Sequence, residues 1–179
     1  FINLSLSDGI WGLYLRYSKV NEFISGTIVD STSYGLYIYS SSKRNVFTDF
    51  GIHRNTSYGI YVRAGSHNNR FYKLKVSNND RGVYLRGGSN TVIQESVIHN
   101  NRSVGIKIHE GNSNNVITNS SITNNLGEGI SLSSSGNFNT FSGLLVASNG
   151  GNGIRVTGDG NVFNNIVTTN NALSGMYLT

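Results

Sequence analysis

The chain has no cysteine and no proline, one methionine and one tryptophan, and only 13% of its 179 residues are charged. Without cysteine there is no disulfide framework, no thiolate metal site and no cysteine nucleophile. No apolar run approaches the roughly 18 residues that a membrane-spanning helix needs. Disorder is excluded as well, because it goes with low hydrophobicity and high charge, whereas this chain is 37% hydrophobic with regularly spaced Ile, Leu, Val and Phe. What remains is 22 glycines and an excess of Asn and Ser, the composition of a β-rich chain with many turns. The sequence opens at Phe1 in mid-pattern, without initiator Met or signal peptide, so it reads as a processed or excised segment.

The formal net charge of +5 is unevenly placed. Residues 1–107 hold 13 of the 14 Lys and Arg against six of the nine carboxylates, a balance of +7. Residues 108–179 hold only Arg155 against Glu110, Glu128 and Asp159, a balance of −2. The molecule is therefore electrically polarised along its sequence.

A Gly-led apolar strand recurs eight times, opening at Gly12, Gly35, Gly59, Gly82, Gly105, Gly129, Gly153 and Gly175 with spacings of 22–24 residues. Gly59-Ile60-Tyr61-Val62 is representative. The second and fourth places are apolar and the third and fifth face outward, the period-2 pattern of a strand with one buried side. A helix fails on period and on the density of Gly and Asn.

Two further columns follow from the same register. An Asn lies 8–10 residues after most of these glycines, with an aromatic or aliphatic residue two further on, as in Asn21/Phe23, Asn45/Phe47, Asn69/Phe71, Asn115/Ile117, Asn139/Phe141 and Asn161/Phe163. Thr91/Ile93 substitutes in the fourth coil. A second set comprises Asn55, Asn79, Asn101, Asn125, Asn149 and Asn171, with Ser31 in the first coil, and Ile28, Ile52, Val76, Ile98, Ile122, Val146 and Thr168 form another inward column. The expectation is an all-β single domain over 1–179: a parallel solenoid of about seven coils with three short strands each. Asn suits its turns by tolerating the left-handed backbone region, and stacked amides bond from coil to coil. Length varies only in the turn after the Gly strand, apart from one residue in the third coil.

The sequence resembles the right-handed parallel β-helix proteins, and within them the NosD-type repeats, whose hallmark is an Asn-rich turn shortly before a Gly-Ile/Leu strand, as in Asn124-Asn125-Leu126-Gly127-Glu128-Gly129-Ile130. The resemblance covers essentially the whole chain and speaks to fold more than to function. Members include polysaccharide lyases and epimerases, phage spikes, archaeal surface proteins and a copper-enzyme maturation factor. Right-handedness is taken from the resemblance and from the general preference of parallel crossovers.

In polysaccharide-processing members, the resemblance places an active groove on the outward face of one sheet, where carboxylates converge with Arg, Lys or His. Here the carboxylates fall on scattered template positions. The epimerase-type Asp-Pro-His-Asp motif is excluded by the lack of proline. His53 and His99 share a column but lie two coils apart, too far to hold one metal, and one Met with no Cys leaves copper without a ligand set. No catalytic residue, metal ligand or cofactor is assigned. Thr157-Gly158-Asp159-Gly160 is a lone echo of calcium-binding repeats.

One ordered outward feature stands out: Tyr14 and Arg16, Tyr37 and Tyr39, Tyr61 and Arg63, Tyr84 and Arg86, then Lys107 and His109, fading into Ser131 and Ser133. Tyr34 and Tyr58 widen it. Aromatic faces stack on sugar rings and Arg pairs with carboxylates or sulfates, so this Tyr/Arg face fits an acidic glycan or polysaccharide. Cross-strand stacking of residues that favour strands accounts for the same face and is the preferred reading, and contact with a neighbouring subunit would use the same residues. Nucleic acid is disfavoured by the modest charge and the absence of a recognised module.

Phe1 to Trp11 read as part of a preceding coil and residues 175–178 start another, neither end carrying an evident cap. The expectation is an internal stretch of a longer β-helix, or a unit that stacks end to end with copies of itself. The first reading of function is a non-enzymatic structural or binding segment of an extracellular or cell-envelope protein. The alternative is a carbohydrate-active enzyme acting on an acidic polysaccharide, and the third a NosD-like maturation factor. Of the four Asn-x-Ser/Thr sequons, at Asn3, Asn55, Asn101 and Asn119, the ladder members Asn55 and Asn101 are expected to be buried.

Overall fold

The computed structural model describes residues 1–179 apart from Glu110 and Ser135. It is an all-β, right-handed parallel solenoid of about eight turns, with no helix among the described residues. The Gly-led strands Trp11–Arg16, Tyr34–Tyr39, Tyr58–Arg63, Arg81–Arg86, Ile106–His109, Ile130–Leu132, Ile154–Val156 and Met176–Leu178 form one parallel sheet in sequence order. Its register is that of the repeat: Leu36 lies beside Ile60, Tyr37 beside Tyr61 and Ile38 beside Val62.

The rest of each coil forms a bent second wall. In the outer coils it is one long strand, such as Glu22–Val29, Val46–His53, Thr140–Ala147 and Val162–Thr169. In the middle coils it is split in two, as Arg70–Tyr72 with Lys75–Ser77 and Val92–Gln94 with Val97–His99. The bend falls on a residue with positive φ in every coil: Ser25, Asp49, Lys73, Glu95, Asn119, Gly143 and Asn165. The three expected strands per coil are thus present, two of them joined around a shared corner.

The axis is filled by single-residue columns. Phe23, Phe47 and Phe71 stack with centroids 4.6 and 5.6 Å apart, and Phe141 stacks on Phe163 at 4.8 Å. Such pairs contribute about 0.5–1.5 kcal/mol each beyond their burial. Ile28, Ile52, Val76, Ile98, Ile122 and Val146 are wholly buried. A further inward column, not anticipated from sequence, runs through Phe50, Leu74, Ser96, Ser120 and Leu144, all buried. In it the two serines act as small ladder rungs: the Leu74 amide donates to Ser96 Oγ, and the Ser96 amide to Ser120 Oγ.

Both Asn columns are hydrogen-bonded ladders. In the second, each amide Nδ2 donates to the Oδ1 one coil on, through Asn55, Asn79, Asn101, Asn125, Asn149 and Asn171, at 2.9–3.2 Å. The same Oδ1 atoms accept the backbone N–H of the preceding rung. Asn55 and Asn101 are accordingly buried, as expected of ladder sequons. The first ladder is interrupted at Thr91, whose hydroxyl turns back to the Gly88 carbonyl while Asn69 Nδ2 donates to Ser42 and Ser66 carbonyls.

One expectation is corrected. The left-handed residue at each turn is the one before the ladder Asn, not the Asn itself: Val20, Arg44, Asn68, Asn90, Asn114 and Phe138 in one column, Asp30, Arg54, Asn78, Asn100, Asn124, Ser148 and Asn170 in the other. The left-handed residue swings the chain around the corner, and the next side chain then points inward. There a buried amide satisfies two backbone-like donors and acceptors per rung.

Candidate functional site

The outward side of the Gly-led sheet carries the Tyr/Arg face. Because the second and fourth places pack inward, the third places are held in line, and Tyr14, Tyr37, Tyr61 and Tyr84 stack in succession at 5.1, 5.4 and 5.2 Å. A parallel column just before the glycines holds Trp11, Tyr34, Tyr58 and Arg81. Its rings meet the first column mostly edge-on or tilted, Tyr34 at 5.0 Å from Tyr37 and 5.3 Å from Tyr61, while Tyr58 stacks on Tyr84 at 5.3 Å. The two rows together make a small aromatic core outside the solenoid.

Its consequence is that the expected binding residues do not share one exposure. Tyr37 and Tyr61 are 8% and 4% exposed, buried by their neighbours. Burial pushes the Tyr37 hydroxyl above its ordinary pKa, with the Arg63 charge pulling the other way. Tyr14, Tyr39, Tyr84, Arg63, Arg86, Lys107 and His109 are half-buried, and Arg16 is exposed. The reachable surface is therefore the fifth-place column, in which Arg16 pairs with Tyr39 and Arg63 with Arg86 and then His109, the Arg63 guanidinium reaching back over the Tyr39 ring. Tyr84 and Lys107 join it where the aromatic stack ends.

The cations are seated on rings. The Arg63 guanidinium lies 5.4 Å from the Tyr39 ring centroid and 5.7 Å from that of Tyr61, and Lys107 Nζ lies 5.9 Å from Tyr84. Cation–π contact orients such groups without neutralising them. Arg81 donates to the Tyr58 hydroxyl at 3.0 Å and lies 3.6 Å from Asp80. Trp11 and Arg81 were not among the expected residues. The signal for them was the column itself, since the place before the first four strand-opening glycines reads Trp, Tyr, Tyr, Arg.

Past Lys107 the third-place column continues as Ser131, Arg155 and Tyr177. A hollow of about 200 Å³ opens there, lined by Lys107, His109, Ser131, Ser133 and Arg155 among others. Arg155 is 3.8 Å from Glu128.

The remaining titratable groups are dispersed. Asp30 accepts two bonds from Arg54 at 2.8 and 2.7 Å, which hold its carboxyl below the ordinary range. Ser77 lies between His53 and His99 on the shared column. No group of three or more His, Asp or Glu stands close enough to hold a metal among the described residues. Glu110, one of the mapped carboxylates, lies outside them.

His53 and His67 are both held below the ordinary imidazole pKa, chiefly by burial, helped by Arg54 for the first and Lys43 for the second. His67 Nδ1 also accepts the Ser89 amide at 3.0 Å, which requires that nitrogen to be unprotonated. The unfolded chain thus takes up protons near pH 6.5 that the folded chain resists. The stabilisation is complete above that pH and is lost as pH falls toward the folded-state values. Urea midpoints are expected to drop between pH 7.5 and 5, and to drop less in His53→Gln/His67→Gln. A midpoint flat across that window in the parent protein would contradict the assignment.

Residues 1–146 match the family model of the right handed beta helix region. No curated protein matches the chain in sequence. Among solved structures, the periplasmic alginate epimerase AlgG superposes with a TM-score of 0.81 at 15% identity, over 91% of this chain and 49% of that one. The A-module of the Azotobacter vinelandii mannuronan C-5 epimerase AlgE4 does so at 0.81 and 19%, over 99% and 56%. The Agl-KA catalytic domain gives 0.54 and 12%, over 94% and 49%. The chain spans about half the length of these proteins, and at such identities the likeness is one of fold.

Proposed function

The chain belongs to the right-handed β-helix family, a broader group than its NosD-type repeats, and from that membership we propose that it engages an acidic polysaccharide along the Tyr/Arg face, outside the cell or in its envelope. The observation that carries this reading is the run of Arg63, Arg86 and Lys107 on three consecutive rungs, with Arg63 and Lys107 seated on rings of the tyrosine face. Rungs recur about every 4.8 Å along the axis, so a chain of uronic acids lying there meets a cation or a ring at each step. Buried Tyr37 and Tyr61 act as the foundation that keeps Arg63 and Tyr39 in place. Alginate and mannuronan, substrates in the names of two structural neighbours, are polyuronates of this kind.

The test is affinity electrophoresis in gels containing mannuronan, with neutral dextran as the control. Mannuronan is expected to retard the protein, and Arg63→Gln/Arg86→Gln to weaken binding about tenfold with the fold intact. Equal mobility in both gels would sink the reading.

A second reading is favoured by the epimerase neighbours and by one local grouping. Tyr84 and His109 have rings 6.3 Å apart, and Arg86 and Lys107 stand on the same two rungs. Uronate C-5 epimerisation removes the proton beside the carboxylate and returns one to the opposite side. It requires a base, an acid and a cation to hold the carboxylate. His109, Tyr84 and Arg86 or Lys107 supply these types. Incubating mannuronan in deuterium oxide separates the readings: deuterium entering at C-5 supports turnover, and binding without it leaves recognition alone. The copper-maturation reading has no comparable residue set.

A further inference from the structure

The fifth-place column ends at the turn that follows each Gly-led strand, and there the cationic surface continues around the corner. Lys19 and Lys43 form a bridge on adjacent coils, with Val20 N–H donating to the Lys43 carbonyl at 3.0 Å and Lys43 N–H to the Ser18 carbonyl at 3.1 Å. The next residue of the turn, Arg44, is exposed with φ of 58°, so its side chain leaves the surface at the apex of the corner. Arg70 stands one coil further on, beside Val46.

These residues line two adjoining shallow clefts. One is formed by Lys19, Val20, Lys43, Arg44 and Asn68, the other by Arg44, Val46, Asn68 and Arg70, with volumes of about 270 and 320 Å³. Arg44 and Asn68 are common to both. No carboxylate lines either cleft, and the ion pairs among the described residues, Arg54–Asp30, Arg81–Asp80 and Arg155–Glu128, lie elsewhere. Lys43 is also felt by its neighbour: its charge helps hold His67 in the neutral form. Like charges stacked on adjacent rungs cost stability unless something offsets them. Arg70 donates to the Tyr72 hydroxyl at 3.2 Å, and Glu22, which pairs with Val46 in the register, lines neither cleft.

We infer that this corner, formed by Lys19, Lys43, Arg44 and Arg70, is a second anion-binding subsite. It takes the carboxylates of the same acidic polysaccharide that lies on the Tyr/Arg face, so that the chain bends from one face onto the other. The inference rests on the reading above for the identity of the ligand. The corner's chemistry fits a flexible polyuronate: the clefts are shallow, carry charges and an amide but no ring, and sit on the edge of a rod. Duplex nucleic acid carries charge of the same sign and is an outcome of the test.

The experiment compares the parent protein, Lys19→Gln/Lys43→Gln/Arg44→Gln and Arg63→Gln/Arg86→Gln for binding to mannuronan and to duplex DNA at 50 and 200 mM NaCl. Thermal melting checks each fold. The corner variant is expected to bind mannuronan at least fivefold more weakly at 50 mM NaCl and to lose much of the salt dependence, since exposed charges are the ones salt screens. If only Arg63→Gln/Arg86→Gln weakens binding, the corner is not a subsite and the Tyr/Arg reading stands. If only the corner variant weakens it, the subsite stands and the Tyr/Arg reading fails. Tighter binding of DNA than of mannuronan, abolished by the corner variant, would overturn the choice of ligand.

Discussion

Asn101→Ala is expected to destabilise the protein by about 4 kcal/mol, a thermal midpoint lowered by roughly 8–16 °C for a chain of this size. Asn101 lies at the middle of the unbroken ladder with no exposed surface. Its Oδ1 accepts both the Asn79 N–H and the Asn79 Nδ2, and its Nδ2 donates to Asn125 Oδ1 at 2.9 Å and to the Val76 carbonyl at 3.4 Å. Truncation leaves the Asn79 N–H and one of the two Asn79 Nδ2 hydrogens unsatisfied in the interior, the other keeping the Ile52 carbonyl. Each such group costs about 1–3 kcal/mol. The adjacent Asn100 provides the control, since it is exposed and its φ is 55°. Asn100→Ala removes no interior bond and loses only the tolerance of Asn for that conformation, about 1 kcal/mol. Chemical denaturation of both variants decides the matter: equal losses would show that the ladder contributes no more than a turn residue does.

Gly82→Ala is expected to be as severe for a different reason. A Cβ built on Gly82 stands 2.4 Å from the Gly105 carbonyl oxygen, 2.6 Å from Ile98 Cγ2 and 2.9 Å from Asn101 Nδ2. The first of these is backbone of the next coil, so the methyl group pushes coils apart and strikes the ladder at once. Overpacking costs typically 1–3 kcal/mol, and here the contact with backbone and ladder together places the loss at the upper end or above it. Gly59, Gly105 and Gly129 meet the equivalent trio of atoms. In the Gly51→Ala control the nearest atom is 3.4 Å away in the His53 side chain. That variant is expected to be near neutral. If Gly82→Ala melted with the parent, the close approach of coil to coil would not explain why glycine opens each strand.

Much of this architecture was legible in the chain because its columns repeat in kind. The glycines present one residue type every 22–24 residues, and the Asn ladders and the Phe column do so with few substitutions, and a parallel stack rewards identical neighbours. What escaped notice are columns whose members differ. The bend residues Ser25, Asp49, Lys73, Glu95, Asn119 and Gly143 share only a positive φ, which leaves no common letter to find. Phe50, Leu74, Ser96 and Ser120 share only an inward direction. The left-handed residue was misplaced by one position because the conspicuous Asn drew the turn to itself. On the Tyr/Arg face, the residues were legible but their depth was not. Tyr37 and Tyr61 are covered by rings from the neighbouring column, of their own strand and of the coil before, a depth that alternation within a strand does not encode.

The stacked rings also shape how the molecule handles light. Tyr84, Tyr61, Tyr37 and Tyr14 form a relay with steps of 5.1–5.4 Å. Its last member sits 4.8 Å from Trp11, the single indole of the chain. Trp absorbs at lower energy than Tyr, so excitation taken up anywhere along the relay runs downhill to one emitter. The tyrosine contribution to the indole excitation spectrum is therefore expected to fall when these coils separate, without any label.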